Sequence, residues 1–148
     1  MIAYMVFKIV TGEEYLKAFN FIIPGLKVTF GSTLISFFIA IILGLVLGIG
    51  RISKNKISST LSRTYIEFVR GVPILILIFT IAFVVVVDAA KFLNINNGNV
   101  PMIIRAIIAL SLFYGAYIAE VFRAGIESVP KGQREGGASL GLSDKQVM

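Results

Sequence analysis

Three observations predict an all-α membrane protein with about three transmembrane helices and a cytoplasmic coupling-helix loop. The chain is 57% hydrophobic and only 15% charged, against about 25% charged in an ordinary soluble domain. Its charges vanish over long windows and crowd between them. Those windows approach or exceed the length needed to cross a bilayer, and a segment in lipid must satisfy its own backbone, which favours helix over open strand. A chain of 148 residues is enough for one domain.

The N-terminal segment, 1–27, is expected on the extracytoplasmic side or along its interface. Glu13 and Glu14 are expected to open a short helix through Asn20, which Pro24 and Gly25 then break. The first ten residues are apolar with Lys8 near their end. A signal peptide has its charge first, so targeting is expected to fall to the first true span.

The transmembrane region is expected over 28–126, with spans at about 28–50, 71–87 and 101–121. Lys27 and Arg51 bracket an uncharged run of 23 residues, which as a helix rises about 34 Å. Arg70 and Asp88 bracket 17 more, the short limit for a span. Their β-branched end, Ile81 to Val87, reads as a strand in water and as a helix in lipid. Arg105 and Glu120 bracket only 14 residues. That span closes if Pro101 sits in the first turn and Arg105 snorkels to the near interface. Asp88 to Val100 is expected to be a polar outer loop with an Asn97-Gly98 turn.

Lysine and arginine counts set the expected orientation. Nine lie in the 51–70 loop and in the tail after Ala119, which three spans place on one side; five lie on the other. Loop and tail are therefore expected in the cytoplasm of a multi-pass cell-membrane protein, with the N-terminus outside. The net charge of +6 comes from residues flanking apolar runs, not from a basic stripe on a polar helix. No nucleic-acid partner is expected; the surrounding partner is membrane lipid. The absence of Cys and His removes thiol and imidazole chemistry and the commonest metal ligands. No catalytic residue, cofactor or metal is expected.

Gly44 and Gly48 lie four apart in the first span, with Ala40 extending the stripe, and Gly115 and Ala119 repeat the pattern in the third. Such pairs let helices approach closely, although glycine is also simply frequent in membrane helices. Arg70-Gly71-Val72-Pro73 opens the second span, with Arg70 read chiefly as an interface anchor. Glu120 and Arg123, three apart, share a helical face and can pair.

Residues 127–148 hold the most informative segment. Gln133 to Leu140 is expected as a short helix. Gly141 fits the position just past a helix end, where a left-handed residue is needed. Ser143 and Gln146 have capping-box spacing for a second helix. The residues alone leave two readings open, a knob that docks into a partner's groove and an ordinary connecting loop.

Three patches, in order, carry a resemblance. They are Tyr65-Ile-Glu-Phe-Val-Arg-Gly-Val-Pro73, Ile107-Ile-Ala-Leu-Ser-Leu-Phe-Tyr-Gly-Ala-Tyr-Ile-Ala-Glu-Val-Phe-Arg-Ala-Gly-Ile126 and Val129-Pro-Lys-Gly-Gln-Arg-Glu-Gly-Gly-Ala-Ser-Leu-Gly-Leu-Ser143. Over Lys17 to Met148 the chain resembles the permease subunits of bacterial ABC importers, in the branch that takes up polar amino acids. The resemblance implies that the last patch is the EAA loop, whose coupling helix seats in a cleft of the ATP-binding subunit. It places Glu135, Gly136, Gly137, Ala138, Leu140 and Gly141 at that interface, with Gly136 and Gly137 where the family has alanines. It further implies an extracytoplasmic substrate-binding protein and a second permease chain, identical or related. The sequence holds no Gly-rich phosphate loop ending in Lys-Ser or Lys-Thr, so ATP hydrolysis is expected on a partner.

Family members continue with two more core spans, whereas this sequence stops at Met148. A truncated product or fragment is therefore one expectation, and a small structural or regulatory membrane protein is the alternative. A channel or carrier would need more polar residues at mid-span than Ser32, Thr33, Ser36 and Thr80. A membrane enzyme would need clustered carboxylates, His or Cys.

Overall fold

The computed structural model describes residues 1–5, 12–95, 100–143 and 147. Most of these are helical, with no strand among them. The expectations at Lys8, at the Asn97-Gly98 turn and at Gln146 lie outside the described residues.

The principal helices are α1 (Glu13–Ile52), α2 (Lys56–Gly71), α3 (Ile74–Phe92), α4 (Met102–Glu127) and α5 (Lys131–Ser139). Within α3, Ile81–Val85 is a π-helical stretch. It coincides with the start of the β-branched run, whose side chains crowd an α-helical backbone. Among the described residues, three stretches are long and apolar enough to cross a membrane: Tyr15–Ile52, Ile74–Phe92 and Met102–Glu127.

The chain divides into two compact units, Met1–Ile35 and Ser36–Met148. In the first, α1 begins at Glu13 as expected but passes through Pro24 without a break. Proline deletes one ladder bond. An interrupted helix in lipid would expose several backbone groups, a larger cost. Hydroxyls along this stretch bond back to the helix: Thr29 Oγ1 donates to the Gly25 carbonyl at 2.9 Å and Ser32 Oγ to that of Val28 at 2.8 Å.

In the second unit, α4 is the element on which the rest of α1, α2 and α3 pack. The segment counted above as a charged loop is in fact helix α2. Asn55 caps it, its side chain accepting from the Ile57 N–H at 3.0 Å. Ser59 Oγ donates to the Arg51 carbonyl at 2.8 Å and ties the α1–α2 corner. Ser62, Ile66 and Val69, at helical spacing, form its buried face. Ile66 and Val69 meet a core of Leu77 from α3 and Phe113, Ala116 and Ala119 from α4. The Tyr65 hydroxyl, its pKa raised by burial, donates to the Leu112 carbonyl at 2.8 Å.

The ends of the second span differ from expectation. Gly71-Val72-Pro73 breaks α2 from α3, which starts at Ile74 rather than Gly71. The helix then runs past Asp88 to Phe92, with Lys91 Nζ 3.2 Å from Asp88 Oδ1. It ends at Asn94, whose φ of 55° is left-handed, as the Ile95 N–H reaches back to the Ala90 carbonyl at 2.9 Å. Pro101 precedes the first residue of α4 instead of lying within its first turn, and Arg105 Nε donates to the Val100 carbonyl at 3.1 Å.

Candidate functional site

The segment after α4 folds into a compact elbow. Only Ser128, Val129 and Pro130 separate α4 from α5. The helix begins at Lys131, two residues before Gln133, and Pro130 stands at its N-cap with φ −58° and ψ 142°. At the far end Gly141 takes φ +81°. The Gly141 N–H donates to the Ala138 carbonyl at 3.0 Å and the Leu142 N–H to that of Gly137 at 3.2 Å. This is the paired bonding of a Schellman cap, which meets two of the carbonyls a helix end leaves open. Beyond it the Val147 N–H donates to the Ser143 carbonyl at 3.1 Å. Glu135, Gly136, Ala138, Leu140 and Gly141 are exposed, and Gly137 is half-buried. Leu140 is 83% exposed, so the elbow carries an apolar side chain at its tip.

The four small residues of the spans meet in one seam between α1 and α4. A Cβ on Gly44 would stand 2.6 Å from Ile118 Cγ2 and 3.0 Å from the Ala119 nitrogen. On Gly48 it would stand 3.0 Å from the Ala119 carbonyl oxygen, and on Gly115 3.2 Å from Leu43 Cβ. One end of the seam is polar: buried Ser111 donates to the Ile107 carbonyl at 2.7 Å and the Ser36 carbonyl at 3.3 Å. Glycines bring the backbones close, and the serine bonds across the gap.

Beside the other end of the seam lies a charged hub. Glu120 meets Arg123 Nη2 at 2.6 Å, as the spacing allows, but also Arg51 Nη1 of α1 at 2.6 Å and Arg70 Nη1 of α2 at 3.6 Å. Glu67 lies 3.8 Å from Arg51, and Glu127 pairs with Arg123. The Arg51 and Glu120 side chains are only 15% and 22% exposed. Arg70 also lies over the Tyr117 ring, 5.5 Å from its centre. It lines a groove of about 650 Å³ with Gly71, Val72, Pro73, Phe113 and Tyr114. Arg70 is therefore more than an interface anchor, and neither Arg51 nor Arg70 was expected at Glu120. The available clue was topological: an up-and-down path brings the ends of α1 and α4 together.

Seam and hub are adjacent, while the elbow stands apart on α5. Among the described residues no group of three His, Cys, Asp or Glu side chains can hold a metal ion. What the arrangement offers is mechanical: an exposed knob joined by a short link to the helix that anchors the others.

Residues 40–148 match the family described as binding-protein-dependent transport system inner membrane component. The chain is 36% identical over 133 residues to the probable amino-acid ABC transporter permease protein YckA of Bacillus subtilis (strain 168), covering 90% of this chain and 55% of that protein. It is 30% identical over 129 residues to the histidine/lysine/arginine/ornithine transport system permease protein HisQ of Escherichia coli (strain K12), covering 85% and 57%. A solved structure described as an amino acid ABC transporter with histidines matches with a TM-score of 0.75 and 29% identity, over 91% of this chain and 59% of that one. The chain spans about half the length of the curated relatives it matches.

Proposed function

This chain belongs to the family of binding-protein-dependent transport system inner membrane components, and from that premise we propose that it serves as a permease subunit of an ATP-driven importer of polar amino acids. The substrate class follows the relatives, one of them named for histidine, lysine, arginine and ornithine transport. Three partners complete the machine: an ATP-binding subunit, an extracytoplasmic substrate-binding protein and a second permease chain, identical or related. The N-terminus lies outside and the elbow in the cytoplasm, in keeping with the charge bias.

The observation that carries this reading is the exposed elbow closed on left-handed Gly141, whose helix α5 follows α4 after a three-residue link. The ATP-binding subunit grips Glu135 to Gly141 in a surface cleft. When two such subunits close on ATP, each pulls its elbow. The short link passes that displacement to α4, and the Glu120 hub and glycine seam pass it to α1 and α2. The spans then rock between outward and inward states while hydrolysis stays on the partner.

The test is co-purification in mild detergent. The native chain is expected to bring down an ATP-binding subunit, and Gly141→Asp to lose it, because aspartate adopts positive φ less readily than glycine. A native chain that repeatedly emerges with no such subunit refutes the reading.

A further inference from the structure

The two adjacent glycines of α5, which stand where the resemblance leads one to expect alanines, have different surroundings. A Cβ on Gly136 would meet nothing within 4 Å. A Cβ on Gly137 would stand 3.1 and 3.4 Å from the two methyls of Val147 and 3.7 Å from Leu142 Cδ1. The same residue holds the elbow through its backbone, its carbonyl accepting from the Leu140 and Leu142 N–H groups at 3.1 and 3.2 Å. Gly137 thus grips the turn with its carbonyl and admits Val147 through its missing side chain.

Resting on the importer reading above, we propose that Gly137 is the positioning residue of the coupling elbow. By seating Val147 it sets the angle at which the chain turns back after α5, and with it the shape presented to the ATP-binding subunit. Helix propensity disfavours glycine equally at both positions. Only at Gly137 does a tertiary contact use the space that glycine leaves. Alanine at 136 stiffens the helix and leaves the elbow closed. Alanine at 137 crowds Val147, the overpacking that close-fitting contacts resist.

The sequence contains no cysteine, so an introduced pair reports without background. Disulfide geometry, with an S–S bond of about 2 Å and a Cβ···Cβ separation of about 4 Å, puts each sulfur about 3 Å from the opposite Cβ. The Val147 methyls occupy such positions relative to residue 137. In native membranes under mild oxidation, Gly137→Cys with Val147→Cys is expected to cross-link, and Gly136→Cys with Val147→Cys is not. Failure of the first pair, or equal cross-linking of both, overturns the proposal whatever the partner is.

A second arm reads the partner, with an ATP-binding subunit co-expressed. Gly137→Ala is expected to lower its recovery by about tenfold, Gly132→Ala, where an added Cβ meets nothing within 4 Å and which lies outside the gripped stretch, to leave it unchanged, and Val147→Ala to rescue Gly137→Ala. Equal effects of the two alanines, or no rescue, reject the positioning role. If the native chain recovers no ATP-binding subunit, the importer reading falls, and the cross-linking arm still decides whether Gly137 shapes the elbow.

Discussion

Glu120 draws arginines from three helices, and only one of them was visible in its neighbourhood of the sequence. The Arg123 pairing follows from a spacing of three. The Arg51 and Arg70 contacts bridge 69 and 50 residues of chain and exist only once α1, α2 and α4 have packed. Removing the shared charge leaves Arg51, which is largely shielded from solvent, with Glu67 at 3.8 Å in place of a carboxylate at 2.6 Å. Glu120→Gln is expected to destabilise the chain in detergent by about 1.5–3 kcal/mol, the range for a hydrogen bond to a charged group. Glu127→Gln, on the exposed rim, is expected to cost less than about 1 kcal/mol. Thermal unfolding of both variants checks the difference, and equal midpoints would mean that the hub contributes no more than a surface ion pair.

At the scale of elements, the glycines of α1 separate by what stands opposite them. Gly44→Ala drives a methyl into Ile118 and the Ala119 backbone and is expected to cost about 1–3 kcal/mol. Gly31→Ala meets nothing within 4 Å and is expected to be neutral or to gain about 0.5–1 kcal/mol from helix propensity. Unfolding midpoints in one detergent check both signs. The pairs Gly44 with Gly48 and Gly115 with Ala119 were legible because spacing alone puts each pair on one face. That the two faces meet each other was not, since any second apolar helix would serve. Helix α2 was missed for a different reason. Its arginines and lysines were counted for topology, and the count concealed the helical period of Ser62, Ile66 and Val69. The end of α3 ran past its charges because Asp88 and Lys91 pair on one face, which a tally of charges as breakers does not register. Gly141 was legible for the opposite reason: a left-handed helix end is a local demand that one residue type meets best.

For the whole molecule, the proposed topology has a direct readout in a chain without native cysteines. Glu135→Cys, on the exposed elbow, is expected to react with a membrane-impermeant maleimide in inside-out vesicles and to be protected in right-side-out ones. Lys17→Cys is expected to show the reverse. The same sidedness at both positions would remove the odd number of crossings that three spans require.

The closure of the elbow leaves its surface free to vary. Its fold rests on main-chain bonds at Gly137, Ala138, Leu140, Gly141 and Leu142, with Gly137 and Gly141 as the residues whose identity matters to its shape. Gln133, Glu135 and Leu140 point no side chain into that closure and stand exposed. They are free to be rewritten, as the bit of a key is recut without changing its shank. On the reading proposed above, a few surface letters on an unaltered hinge set which partner the elbow accepts.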